Sequence, residues 1–330
     1  MKIDTAIYGL TTARSEAERL RDLGVDGVFS FEGPHDVFAP LVLASQVGGL
    51  DLLTNVAIAF PRNPIHLAHQ AWDLHQLSGG RFTLGLGTQI RPQIEKRFGV
   101  EFDRPVDRMR EKVAAIKAIW SCWADGTRLD FRGDFHQHTL MTPMFRPGES
   151  EFAPPPIHVG ALGPRMTRMV AESADGILVM PFTSERYFAE HTMARVTEGL
   201  AAAGRSADDF DIHAEAIVCV GRDEAEMAVA EEGTRFLLAF YGSTPSYRPV
   251  LEAHGWGDLQ PELNAMTKAG RWDEIARLID DEVLSTLAVR GTPGEVAAEL
   301  HTRFGGADRL GFYTPYNVPD DTVAELIGAL

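Results

Sequence analysis

Short apolar runs alternate along the chain with longer stretches of helical period. The runs are Ile3–Tyr8, Val25–Phe31, Thr54–Phe60, Phe82–Gly87, Ile157–Gly160, Gly176–Met180, Ile212–Val220 and Arg309–Tyr313. Most are too apolar to have one face in water, so they suit a parallel sheet buried on both sides. The stretches between them carry helix signals. Asn63-Pro64 supplies an N-cap and a first-turn proline for a helix over 64–77, with Ile65, Ala68, Ala71 and Trp72 on one face. Pro105 opens a helix over 105–122, in which Val106, Met109, Val113, Ile116 and Trp120 recur at helical spacing. Pro164 opens another over 164–174. Strands alternating with helices imply right-handed βαβ units, and eight such units close a barrel. The predicted class is α/β, a (β/α)8 TIM barrel.

Two connections exceed simple loops: 88–155 after strand four, and roughly 221–307 after strand seven. The first holds the helix at 105–122 and then LDFRGDFHQHTL, which predicts a hairpin turning at Arg132-Gly133-Asp134. The second predicts several helices, Trp272–Ile279 among them. Long excursions from a barrel build a site or an interface. No repeat, low-complexity tract or linker divides the chain, so 1–330 reads as one elaborated domain.

Composition narrows the function. Lys plus Arg number 31 against 47 Asp plus Glu, a balance of −16, which argues against a nucleic-acid surface. A small-molecule substrate fits better. Cys122 and Cys219 form no CxxC pair, which disfavours a disulfide framework or thiolate metal site and fits a reducing cytoplasm. No stretch approaches the roughly 20 apolar residues of a membrane helix.

In a barrel, function gathers at the C-terminal strand ends. Gly87-Thr88-Gln89-Ile90 after strand four and Gly160-Ala161-Leu162-Gly163 after strand five are turns where a phosphate or ring can approach the backbone. Pro164 starts a helix immediately afterwards, which adds free N–H groups and a positive dipole end. The same glycines also suit ordinary tight turns. Glu32 and His35, after strand two, are acid–base candidates; a solvated glutamate and a loop histidine are the alternative. His158, His213 and Glu215 offer too sparse a set to define a metal site, and none is expected. No lysine falls at a strand end for Schiff-base chemistry, and no GxSxG elbow occurs.

Several of these motifs resemble luciferase-like monooxygenases, and among them the coenzyme F420 (deazaflavin) oxidoreductases. The carriers are Gly24-Val25-Asp26-Gly27-Val28, Thr54-Asn55-Val56-Ala57-Ile58, the run SGGRFTLGLGT at 78–88, Pro156-Ile157-His158-Val159-Gly160-Ala161 and Ala174-Asp175-Gly176. The resemblance covers nearly the whole chain. It implies a bacterial-luciferase-like barrel and a non-prolyl cis peptide in strand three, here Asn55-Val56, behind the cofactor's central ring. It implies that Gly87–Ile90 and Gly160–Gly163 hold the ribityl chain and phosphate. Arg91, Lys96 and Arg97 either meet an anionic cofactor tail or form a solvated face. An Asp-His pair after strand two marks alcohol-oxidising members; here the positions read Glu32-Gly33, with a histidine only at His35, so no sugar-phosphate substrate is carried over.

The activity implied is hydride transfer between a small substrate and F420, with Glu32 or His35 moving the proton. The alternatives are an FMN monooxygenase working with a flavin reductase, and a flavin-binding barrel without catalysis. The resemblance also implies a homodimer.

Overall fold

A computed structural model describes residues 1–330. Eight parallel strands close on themselves: β1 Lys2–Ala6, β2 Gly27–Ser30, β3 Asp51–Thr54, β4 Phe82–Gly87, β5 Ile157–Ala161, β6 Gly176–Val179, β7 Asp211–Val220 and β8 Arg309–Tyr313. Each pairs with the next, and β8 returns to β1 with Lys2 opposite Arg309. Helices cover the outside, as the alternation predicts. The fold is a (β/α)8 barrel.

The local signals explain the frame. Asn63 caps the helix Pro64–Leu77 by accepting from the Ile65 N–H at 3.0 Å. The helix Pro105–Asp125 runs three residues past its predicted end and stops at Gly126, in the left-handed conformation at φ 71°. The hairpin forms between Phe131–Arg132 and Gln137–His138.

Three expectations need correction. Strand three starts at Asp51 rather than Thr54, because Leu52 and Leu53 pair with β2 and β4; after Thr54 the ladder breaks and resumes only at Ala57–Ile58. Trp272–Leu278 is a 3-10 turn. A ninth parallel strand, Ala288–Gly291, lies beside β7 within the second excursion.

The main core lies between strands and helices, where Val28, Leu52, Leu84, Val159 and Leu310 meet Leu41, Leu67, Ile116 and Val170. The second excursion has its own core: Leu238, Leu251, Leu263, Ile275 and Leu284 pack on Phe182 and Ile217.

The barrel's N-terminal end is closed by charge. Arg309 Nε donates to Asp4 at 2.7 Å, and its Nη1 donates to Asp51 at 2.7 Å. Lys2 meets the same Asp51 at 2.7 Å. Gly27 makes room for this plug, since a Cβ there would lie 2.3 Å from Asp4 Oδ1. His213 is fully buried beside it, 3.4 Å from Asp4, with neither ring nitrogen hydrogen-bonded. Burial, with the Arg309 charge adding to it, holds the imidazole well below its ordinary pKa of 6.5.

This sets a direction for acid stability. The unfolded chain takes up the proton first, so the contribution of neutral His213 is complete above pH 6.5 and is lost as pH falls below it. The wild-type melting temperature therefore falls between pH 7 and 5.5 more steeply than that of H213Q. Parallel melting curves for the two proteins across that range would show that His213 carries none of the slope.

Candidate active site

The C-terminal end of the barrel is shaped by the break in strand three. Thr54 anchors it: its Oγ1 donates to the Gly85 carbonyl at 2.8 Å and accepts from the Gly85 N–H at 2.9 Å. A Cβ on Gly85 would lie 1.8 Å from the Thr54 carbonyl oxygen, so no larger residue fits. The Asn55-Val56 peptide is cis, as the resemblance implied. The Val56 side chain lies over two glycines. A Cβ on Gly87 would stand 2.3 Å from Val56 Cγ2, and one on Gly160 would stand 3.5 Å from Cγ1. An apolar ledge with bare backbone beneath it results.

Asn55 turns its amide inward and donates to Glu215 Oε1 at 2.7 Å, across the barrel from β3 to β7. Glu215 is 5% exposed. Burial pushes its carboxyl up to about 8; the Asn55 hydrogen bond opposes the rise and the Asp4 charge adds to it. At neutral pH the group is a protonated acid able to give or take one proton. Gly311 leaves it space, because a Cβ there would lie 3.2 Å from Glu215 Cγ.

Around this carboxyl stand aromatic rings. Phe29 and Phe31 on the strand-two side meet Tyr313 with centroids 5.9 and 6.2 Å apart. Tyr8 packs edge-on to Phe31 at 5.7 Å. Phe182, Tyr241 and Tyr247 form a second set from the end of β6 and the second excursion.

The two expected loops lie at strand ends. Gly87 closes β4; Thr88 and exposed Gln89 follow, with Gln89 at φ 56° and its side chain accepting from the Ile90 N–H at 2.9 Å. Gly160 and Ala161 close β5, and Leu162 leads to Gly163. Gly163 is the N-cap of the helix Pro164–Ser173, and no side chain caps that end, so its first N–H groups are open to an acceptor. Arg97 donates to the Gly33 carbonyl at 2.8 Å, and Arg91 pairs with Glu95 at 2.8 Å.

Glu32 is already engaged. It accepts from the Ile58 N–H at 2.9 Å and from Arg62 at 2.5 Å, and so ties the strand-two loop to residues 58 and 62. His35 is exposed, and no hydrogen bond joins it to Glu32. The possible metal ligands separate: His158 meets Asp211 at 3.2 Å, His213 faces Asp4, and Glu215 meets Asn55. No group of three or more His, Cys, Asp or Glu gathers around a common point. Two open hollows, each of about 400 Å³, lie elsewhere, at Lys117–Pro155 and at Arg222–Arg290. Neither includes a residue of the ledge or of the aromatic rings.

Sequence reading did not single out Glu215 as an acid–base candidate. The available signal was a pair of ionisable residues, His213 and Glu215, two apart on an otherwise apolar strand and so on its same face.

The ledge and the two turns lie at the C-terminal strand ends, where barrel enzymes bind their ligands. The family model described as luciferase-like monooxygenase matches residues 4–308, and the chain belongs to that family. An uncharacterized protein of Mycobacterium tuberculosis is 47% identical over 313 residues, 94% of this chain and 92% of the relative. The 5,10-methylenetetrahydromethanopterin reductase of Archaeoglobus fulgidus is 29% identical over 267 residues, 79% of this chain and 75% of that protein. The coenzyme F420 dependent tetrahydromethanopterin reductase of Methanopyrus kandleri superposes with a TM-score of 0.83 at 18% identity, over 100% of this chain and 98% of that one. The protein is thus an oxidoreductase of a flavin- or deazaflavin-using family. No helix is long and apolar enough to cross a membrane.

The Glu215 shift has its own test. An acid whose pKa rises on folding from 4.5 to about 8 stabilises the fold while protonated. That contribution is full below pH 4.5 and is lost as pH rises through 8. E215Q stays neutral, so its melting temperature relative to wild type should be higher at pH 9 than at pH 5. A difference that does not change with pH would mean that Glu215 ionises as freely as an exposed glutamate.

Proposed function

We propose that this protein is a coenzyme F420-dependent oxidoreductase that moves a hydride between the deazaflavin and a small organic substrate. The observation that carries the reading is the Val56 ledge over Gly87 and Gly160, with the Asn55–Glu215 pair beside it. A putative coenzyme F420-dependent oxidoreductase of Mycobacterium tuberculosis, 30% identical over 314 residues, supports the deazaflavin over FMN.

The residues present fit the group. Val56 would back the ring, and the bare backbone at Gly87 and Gly160 lets it approach closely. Thr88, Gln89 and Ile90 would line the ribityl chain. Ala161, Leu162 and Gly163, with the uncapped helix end behind them, would receive the phosphate. When bound, the deazaflavin supplies or takes a hydride at its central ring carbon.

Glu215 holds the accompanying proton. It is protonated at neutral pH, desolvated, and oriented by Asn55. The aromatic rings exclude water from it. Glu32 has a different task in this reading: paired with Arg62 and the Ile58 N–H, it positions the loop beside the ledge. His35, exposed at the rim, is left to contact substrate or solvent.

The decisive experiment mixes purified protein separately with F420 and with FMN and follows retention on ultrafiltration together with cofactor fluorescence. F420 is retained and FMN is not. Retention of FMN alone would replace this reading with the monooxygenase one. With F420 bound and substrate found, E215Q should lower kcat by about 100-fold or more, in the range of a lost general acid. E32Q should lower the melting temperature and leave the pH dependence of kcat in place. The opposite pattern would return the proton to Glu32.

A further inference from the structure

Lys112 lies on the helix Pro105–Asp125 of the first excursion and is 0% exposed. It forms no ion pair. Its neighbour Glu111 is committed to the hairpin, where it accepts from the N–H groups of Asp134, Phe135 and His136 at 2.7, 2.7 and 2.6 Å. A buried amine without an opposite charge is costly, and a methionine would fill the same space without that cost. Burial, with the Arg108 and Arg62 charges adding to it, brings the amine down to about 7. What the amine gains is one acceptor: its Nζ donates to the Arg62 carbonyl.

That carbonyl closes a short turn that begins at the ledge. Val56 is followed by Ala57 and Ile58, which pair with Leu86 and Gly87 of β4. The Ala59 N–H then donates to the Gly87 carbonyl at 2.9 Å, and the Arg62 N–H donates to the Ala59 carbonyl at 3.1 Å. The Arg62 side chain turns back and donates to the Ile58 carbonyl at 2.9 Å. Glu32 accepts from the Ile58 N–H at 2.9 Å and from the same guanidinium at 2.5 Å. Ile58 is thus held through both its N–H and its carbonyl, and both holds depend on Arg62. Gly87, which Ile58 faces, is the glycine under Val56. No backbone N–H reaches the Arg62 carbonyl, so Lys112 supplies its donor.

We propose that Lys112 is a positioning residue for the ledge. It fixes the Arg62 backbone, Arg62 and Glu32 fix Ile58, and Ile58 sets Val56 over Gly87 and Gly160. As a role in cofactor binding this rests on the reading of the ledge as the redox site, and it gives the first excursion a part in cofactor affinity.

The test has two arms and uses K112M, which keeps the length of the side chain without its donor, and K112Q, whose shorter polar end does not reach the carbonyl. The first arm needs no cofactor. Amide hydrogen exchange of residues 58–62, followed by mass spectrometry, should be about tenfold faster in both variants, the worth of one hydrogen bond, while the helix Pro164–Ser173 and β7 keep their wild-type rates. Unchanged exchange at 58–62 overturns the proposal. So does an equal rise throughout the barrel, which would make Lys112 a contributor to overall stability. In the second arm, F420 titrated by its fluorescence should bind K112M about fivefold or more weakly than wild type. Equal affinity alongside faster local exchange also overturns the role in cofactor binding. Failure of wild type itself to bind F420 counts against the redox reading, and the first arm then decides by itself whether Lys112 positions the ledge.

Discussion

The hydrogen bond from Asn55 to Glu215 crosses the barrel from the third strand to the seventh, and the site is organised around it. It joins two features that arise far apart in the sequence. Asn55 stands where strand three leaves the sheet, and Val56, the next residue, forms the ledge over Gly87 and Gly160. In the proposed function, the surface for a redox ring and the group that orients the proton carrier are thus consecutive in the chain. Glu215 gains from the same bond. Below it lies the apolar layer of Ala6, Phe29, Leu53 and Leu178, which offers a carboxyl no partner. A neutral amide donor orients the acid without supplying the positive charge that would ionise it.

The interior beneath shows what the alternative looks like. At the N-terminal end, Arg309 and Lys2 satisfy Asp4 and Asp51 with short charge-assisted bonds. Those carboxylates are committed to closing the barrel. Both ends of the lumen bury acids, and the difference between them lies in the partner. A cation fixes an acid as a structural element, whereas a single amide leaves it free to exchange a proton. Glu32 follows the first pattern through Arg62, and this is the physical ground for giving it a positioning role.

Much of the fold was legible in the sequence because it depends on local signals. The apolar runs gave seven of the eight barrel strands and the end of the third, and Asn63-Pro64 and Pro164 marked helix starts that the structure keeps. The start of strand three was not legible, since only the pairing of Leu52 and Leu53 with two neighbours makes it a strand. The two backbone-rich turns were found from their glycines. The role of Glu215 was not. On β7 it shares a face with His213, which invited a joint role, yet His213 lies opposite Arg309 and Glu215 opposite Gly311. One residue belongs to the ionic floor and the other to the mouth, and only the register separates them.

The aromatic rim shows how barrel and excursion divide the work. Tyr8, Phe31 and Tyr313 come from the strand ends or the turns just after them and are fixed by the barrel itself. Tyr241 and Tyr247 come from the second excursion, 26 and 32 residues beyond Glu215 in the chain. They are placed by that excursion's own core, in which Gly242 lets Leu263 approach to 3.0 Å of where a Cβ would stand, with Phe182 behind it at 3.7 Å. A packed core holds rings far more firmly than a loose loop would. The ledge, the turns and Glu215 all belong to the barrel, which therefore governs what chemistry takes place. The excursion supplies half of the hydroxyl-bearing rim, and so contributes to which molecule is admitted. Relatives that keep the barrel and rebuild the excursion can keep a cofactor while changing the substrate, as expected when function resides in sites grafted on a shared fold.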